Sequence, residues 1–224
     1  SVDSLIYPEE VHFKSIKQIT FGGDNAEAYW SFDDKQIIFQ SNNTEWNVEC
    51  DQMFLMNRDD VFDASVPPMV STGLGRTTCA YFLPDNKHFV YGSTHLGGEE
   101  CPDAPLRREG KYVWPIYESY DIFVSDLEGN ITAQLTTELG YDAEATVSPK
   151  GDRIVFTSMR TGDLELFTMN IDGSDVKQVT NELGYDGGAF FSPDGTKLIF
   201  RSSRPKTEAE IKEYKDLLAE GLVQ

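Results

Sequence analysis

The sequence lacks any apolar run that could cross a membrane, and it is poor in basic residues. No segment approaches the roughly 18 consecutive apolar residues of a transmembrane helix. With 38 acidic and 19 basic residues the net charge is −19, which argues against nucleic acid or an anionic membrane surface as a partner. Without an apolar run, we also expect no membrane insertion. Residues 1–10 lack the basic and apolar segments of a signal peptide, although a signal could already have been removed.

Cysteine is also scarce, which limits the covalent and metal chemistry that the chain can carry. Cys50, Cys79 and Cys101 allow at most one disulfide, and no Cys-x-x-Cys pair suggests a zinc site. One disulfide, buried free thiols, or a metal site that includes His95 all remain open. If a disulfide forms, we expect Cys101 to be one partner, because its loop can reach Cys50 or Cys79.

What the sequence does contain is a repeat. The sequence pattern of residues 136–160 recurs at residues 180–204, and each matched pair of residues is 44 positions apart. A constant period of this size predicts a repeat architecture. Looser copies precede these two, so we divide a single domain, 1–224, into four units. The predicted units are about 21–72, about 73–136 with an insertion at 95–119, about 137–180, and a partial unit at about 181–224.

The sequence pattern of each unit predicts short antiparallel strands joined by tight turns. Four such strands that bury one face on the next unit are typical of a β-propeller blade. The sequence of residues 13–20 resembles the last strand of a later unit. We therefore predict that these residues form a strand that completes the final blade. In the last unit a capping box at Thr207 and Glu210 predicts a helix over 208–220. The predicted fold is therefore an all-β propeller of about four repeats with one C-terminal helix.

The turns carry a family resemblance. Ser-Pro-Asp-Gly at 192–195, Ser-Pro-Lys-Gly at 148–151 and Leu-Pro-Asp-Asn at 83–86 resemble the repeats of TolB-type β-propellers. The resemblance implies a periplasmic or exported protein of the cell envelope that binds another protein, such as an envelope lipoprotein. TolB-type propellers commonly have six blades, so it also favours a piece of a larger propeller over a small ring closed through the N-terminus.

In a propeller blade, the loop into the first strand and the loop between the second and third strands lie on one face. This face receives the insertion, the C-terminal helix and the repeated Gly-Tyr-Asp motifs. Irregular sequence gathered on one side of a repeat protein is typical of a binding face, and aromatic residues are favoured there. The predicted partner-binding residues are Trp46, Tyr112, Trp114, Tyr117, Tyr141, Asp142, Tyr185 and Asp186.

A site for a hard cation is a second prediction for the same face. Asp142, Glu144 and Asp186 could converge near the central axis and offer oxygen ligands to Ca²⁺. The competing interpretation is that the two aspartates cap their own loops. We therefore predict no cofactor other than this Ca²⁺ candidate.

The leading functional hypothesis is a non-enzymatic protein-interaction scaffold that binds a protein or peptide partner on the insertion-bearing face. No Gly-x-Ser-x-Gly elbow or other hydrolase constellation is evident, so no catalytic residue is predicted. Two alternatives stay open. One is an accessory propeller that gates a hydrolase or peptidase domain absent from this sequence, and the other is a metal-dependent binder of glycans or small molecules.

Overall fold

The structure, a computed structural model, describes residues 6–58, 66–103 and 112–224. These residues form an all-β propeller whose sheets follow the sequence repeats. Blade 1 has the strand order β1-β2-β3, with a 3-10 helix at Thr44–Trp46 between the second and third strands. Its strands are β1 (Asp24–Trp30), β2 (Gln36–Asn43) and β3 (Val48–Asn57).

Blades 2 and 3 are four-stranded antiparallel sheets. Strand β6 (Trp114–Pro115) lies in the insertion between the second and third strands of blade 2. Blade 2 contains β4 (Thr77–Phe82), β5 (His88–Ser93), β7 (Asp121–Asp126) and β8 (Ile131–Gln134). Blade 3 contains β9 (Asp142–Val147), β10 (Arg153–Ser158), β11 (Glu165–Asn170) and β12 (Lys177–Gln178).

The last unit is half a blade followed by a helix. Strands β13 (Asp186–Phe191) and β14 (Leu198–Ser202) pair with each other, and α1 (Glu208–Ala219) leads to β15 (Leu222–Val223). The predicted capping box starts the helix: Thr207 accepts from the Glu210 amide, and the Glu210 carboxylate accepts from the Thr207 amide. In the described part of the chain, no helix is long and apolar enough to span a membrane.

Apolar side chains fill the spaces between successive blades. Val90 and Ile122 of blade 2 pack against Phe156 of blade 3, and Leu166 of blade 3 packs against Ala189 of the half-blade. The alanines of the first strands are small, which lets neighbouring blades approach, and Ala80, Ala145 and Ala189 are fully buried. Each large side chain buried in this way contributes about 1.5–3 kcal/mol.

A glycine precedes the first strand of every blade because the backbone there has a positive φ. The values are 65° at Gly23, 58° at Gly75, 110° at Gly140 and 127° at Gly184. At Gly184 a Cβ would lie 1.9 Å from the Ser203 carbonyl oxygen, so no other residue fits.

The structure departs from the sequence prediction in three places. Residues 13–20 form no strand, because no described strand lies beside them to complete a ladder. The predicted fourth strand of blade 1 is reduced to one bridge between Phe54 and Met69. Strands β6 and β15 were not predicted; they pair with each other and tie the insertion to the C-terminal segment. The predicted insertion residues 104–111 lie outside the described residues.

Candidate partner-binding cavity

The first strand of every blade is interrupted at the same point by a β-bulge. The pairing register shifts between Ala26 and Tyr29 in β1, and at the matching points of β4, β9 and β13. A bulge bends a strand and re-aims the side chain within it. Each of these bulges holds one residue with a positive φ, and the four residues are Glu27 (51°), Cys79 (49°), Glu144 (58°) and Gly188 (59°).

Three of these residues are not glycine, so the conformation carries backbone strain. A non-glycine residue in the left-handed region costs of the order of 1 kcal/mol or more and persists only where the surroundings hold it. All four bulge residues line one cavity of about 500 Å³ between the first strands. Strained residues that converge on a cavity favour a functional role for it.

Hydrogen bonds from one blade to the next hold the bulges in place. The Gln40 side-chain oxygen of blade 1 accepts from the Cys79 amide at 3.1 Å. In the same way, Glu144 of blade 3 accepts from the Gly188 amide at 2.8 Å. The bulges at Cys79 and Gly188 are therefore bonded across the junction between two blades.

The Glu144 carboxylate is the most heavily bonded acid in the cavity. Thr157 donates to it at 2.7 Å and the Tyr185 hydroxyl donates at 2.9 Å, in addition to the Gly188 amide. Burial and the nearby carboxylate raise the pKa of Tyr185 well above its ordinary value, so the phenol remains a donor.

The insertion forms the aromatic rim of the cavity, and two separate contacts hold it. Cys101 forms a disulfide with Cys50 of β3, with the Cα atoms 5.6 Å apart, while Cys79 is a free thiol. At the other end of the insertion, β6 pairs with β15 after the C-terminal helix. The insertion thus runs from blade 1 to the segment that follows the half-blade. Its cavity-lining aromatic residues are Tyr112, Trp114 and Tyr117, and Tyr120 follows directly after the insertion.

The C-terminal helix supports this rim from behind. The Tyr214 hydroxyl donates to Asp163, whose second oxygen accepts from the Gly184 amide. Tyr214 also belongs to a buried cluster that includes Ile116 of the insertion and Val223 of β15. The rim is consequently packed on the propeller through one shared apolar core.

Two arginines enter the cavity, and their surroundings differ. Arg76 forms an ion pair with Asp51 and donates to the Cys101 sulfur at 3.7 Å. Arg201 instead lies over two rings, with its guanidinium carbon 4.8 Å from the centroid of Trp114 and 5.0 Å from that of Tyr185. These two rings meet edge to face.

The cavity brings together five of the eight residues predicted to bind a partner. Tyr112, Trp114, Tyr117, Tyr141 and Tyr185 all line it. Trp46 lies elsewhere and packs edge to face on Phe54 within blade 1. Asp142 and Asp186 are buried in blade 3 and the half-blade. Arg76, Arg201 and the bulges also shape the cavity, and none of them was predicted from the sequence.

Asp142 and Asp186 make the same contact in successive blades. Arg160 donates to both oxygens of Asp142 at 3.2 and 3.0 Å, and Arg204 donates to Asp186 at 2.8 Å. Each pair joins the start of a first strand to the residues after the second strand. Burial raises the pKa of Asp142 even though Ser158 and Arg160 act in the opposite direction.

The predicted Ca²⁺ candidates do not form a cluster. Glu144 is bonded in the cavity, while the carboxylates of Asp142 and Asp186 are paired with arginines. Within residues 6–58, 66–103 and 112–224, no three His, Cys, Asp or Glu side chains are close enough to hold a metal ion.

His95 occupies the position of these arginines in blade 2. Its Nδ1 lies 2.9 Å from the Ser93 Oγ, which resembles a nucleophile and its base. Ser93 is fully buried, however, and Ser158 bonds Arg160 in the matching place of blade 3. Burial lowers the pKa of His95. The contact is part of the blade structure.

The bulged first strands, the sheets that pack face to face and the shared cavity define a repeat protein of the β-propeller class. The family described as the TolB beta propeller domain matches residues 116–215. Residues 116–215 are therefore similar to a TolB-type propeller domain, and the chain as a whole has the propeller fold. A search of curated proteins found no match.

Solved structures agree on the fold. TolB from Acinetobacter baumannii is 19% identical with a TM-score of 0.58, over 83% of this chain and 39% of that one. A chain of a nidogen/laminin complex is 12% identical with a TM-score of 0.54, over 78% of this chain and 55% of that one. This chain thus spans about two fifths of the TolB that it resembles.

Proposed function

We propose that this chain is a non-enzymatic protein-interaction scaffold that binds a protein or peptide segment in the cavity beneath the insertion. The observation that carries the proposal is the convergence of strained bulges and an aromatic rim on one cavity. Tyrosine and tryptophan offer large contact areas at a low cost in conformational entropy, and they are enriched at binding hot spots.

The contacts of the insertion support a preformed site. A disulfide and a strand pairing hold its two ends, so fewer groups must become ordered when a partner binds. The net charge of −19 favours a protein partner over nucleic acid.

The proposal extends to an exported protein that acts in the cell envelope, with an envelope lipoprotein as one partner of this kind. Disulfides persist mainly in oxidising compartments, which supports this location. The TolB-like fold supports it by analogy alone.

Site-specific photocrosslinking tests the binding face. Tyr112 on the rim and Tyr7 in the N-terminal segment are both 79% exposed, so a benzoylphenylalanine placed at either position is equally accessible. Each variant is expressed in the native organism, irradiated and analysed by mass spectrometry. We expect a discrete adduct with one protein from position 112 and none from position 7. Equal adducts from both positions, or none from 112, would contradict the proposal.

A further inference from the structure

Arg201 occupies a position where the repeat is otherwise uncharged. It precedes the repeated serine of the second strand, and the same place in the earlier blades holds Gln40, Gly92 and Thr157. The neutral residues have local roles: Gln40 bonds the Cys79 amide and Thr157 bonds Glu144. A charged residue is therefore not needed to build a blade at this position.

Arg201 also differs from the other arginines that the structure describes. Arg76, Arg153, Arg160 and Arg204 each bond an aspartate side chain, and Arg58 donates to the Asp34 carbonyl oxygen. Arg201 has two aromatic rings as its partners, and no oxygen acceptor for it occurs among the described residues. The chain has twice as many acidic as basic residues, so this lack of a carboxylate is not caused by scarcity.

The ring contacts of Arg201 satisfy none of its N–H donors with an oxygen acceptor, so these donors remain available to a ligand. A guanidinium that lies over a ring face keeps its N–H donors in its own plane, and these donors form a fork that matches a carboxylate. Trp114 and Tyr185 thereby hold the fork in position before a ligand arrives. Tyr185 is itself fixed by its bond to Glu144 at 2.9 Å.

The other charges in the cavity are already neutralised or bonded. Arg76 is paired with Asp51, Glu27 accepts from the Tyr29 hydroxyl, and Glu144 has three donors. An incoming carboxylate therefore finds one unsatisfied cation in the described part of the cavity wall.

We infer that Arg201 is the specificity-determining residue of the cavity and receives a carboxylate group of the bound peptide. This inference rests on the proposed function, because it names the chemical group that the partner segment presents. The carboxylate comes either from an Asp or Glu side chain or from a C-terminus. The two sources share the bidentate contact.

Nuclear magnetic resonance can observe this contact directly. The Nε–Hε signal of Arg201 is assigned from its loss in R201K and followed during titration with three peptides. The first is acetyl-Gly-Glu-Gly-amide, the second is its Gln analogue, and the third is acetyl-Gly-Gln-Gly with a free C-terminus. We expect a saturable shift with the first or third peptide and at least about tenfold weaker binding of the second.

Variants separate charge from geometry. R201Q should abolish the preference for a carboxylate, and R201K should weaken binding because lysine keeps the charge but lacks the planar fork. K197Q removes the same charge one residue before β14, at an exposed site outside the cavity, and should bind like the unmodified protein. Thermal melts confirm that each variant is folded.

The outcomes distinguish this inference from the proposed function. Equal binding of the neutral peptide, or unchanged binding by R201Q, overturns the role of Arg201. A partner crosslinked at Tyr112 would then still support the scaffold. If a carboxylate peptide binds, the tighter of the two identifies the side chain or the C-terminus as the source.

Discussion

Arg201 and Arg204 lie three residues apart in the half-blade and have opposite surroundings. Arg204 is bonded to Asp186 and Glu182, and Arg160 makes the matching contact with Asp142 in blade 3. Arg201 has no counterpart in the other blades and lies against the rings of Trp114 and Tyr185. The difference indicates that the repeated Asp–Arg pairs build the blades, whereas Arg201, which breaks the repeat, lies in the cavity wall.

The largest effect should come from breaking a repeated pair. In Arg160→Ala, Asp142 keeps its buried charge without a partner, so we expect a loss of about 3–5 kcal/mol in the free energy of unfolding. Urea denaturation measures the loss. It should shrink as the pH falls, because protonation of Asp142 removes the unpaired charge.

Lys177→Ala is the matched control, because its ion pair with Asp175 is exposed. We expect it to cost no more than about 1 kcal/mol. If the two variants lost the same amount, the repeated Asp–Arg pairs would not be the structural elements described here.

The next effect concerns the insertion. The double variant Cys50→Ser/Cys101→Ser opens a loop that spans 51 residues, for which chain entropy predicts a loss of about 4 kcal/mol and measured cases commonly fall between about 2 and 4. Denaturation of the double variant against Cys79→Ser measures it. A double variant as stable as Cys79→Ser would show that the disulfide does not hold the insertion.

A smaller effect is expected from alkaline pH, and it reports on the buried tyrosines. Burial raises the pKa of eight of the ten tyrosines, with that of Tyr91 at about 12. Their folded values lie above the ordinary value near 10, so stability is full below pH 10 and is lost as the pH rises beyond it. Absorbance at 295 nm should lag behind that of free tyrosine until unfolding. Ionisation of all tyrosines near pH 10 in the folded protein would contradict this. The eight are Tyr29, Tyr81, Tyr91, Tyr117, Tyr120, Tyr141, Tyr185 and Tyr214.

Calcium should have the smallest effect. Asp142 and Asp186 are already neutralised by arginines, so millimolar Ca²⁺ or EDTA should leave the melting temperature unchanged. A ligand that binds the folded state must raise the melting temperature. A rise with Ca²⁺ that EDTA reverses would restore the metal-dependent alternative.

Much of the fold could be predicted because the repeat constrains it at several levels. Short antiparallel strands such as His88–Ser93 and Arg153–Ser158 were predicted from the repeat, and the capping box at Thr207 was expected. By contrast, β6 and β15 are two residues long and pair over a separation of more than a hundred residues. Neither has a periodic pattern that a sequence can display.

The cavity was only partly predictable. An alignment of the repeats places four residues at the same position: Glu27, Cys79, Glu144 and Gly188. Their side chains do not reveal that the backbone has a positive φ there, and only the glycine suggests it. Asp142 and Asp186 were expected on the binding face, yet the sequence analysis did not connect them with Arg160 and Arg204. Arg201 could have been found by comparing the residue before each repeated serine.

The most direct test compares a residue that breaks the repeat with a residue that belongs to it. Trp114 lines the cavity, whereas Leu139 is 95% exposed and is repeated as Leu183. The measurement is the dissociation constant of the crosslinked partner for Trp114→Ala and for Leu139→Ala. We predict at least about tenfold weaker binding for the first and a change of less than about twofold for the second. Weaker binding by Leu139→Ala with unchanged binding by Trp114→Ala would contradict the account.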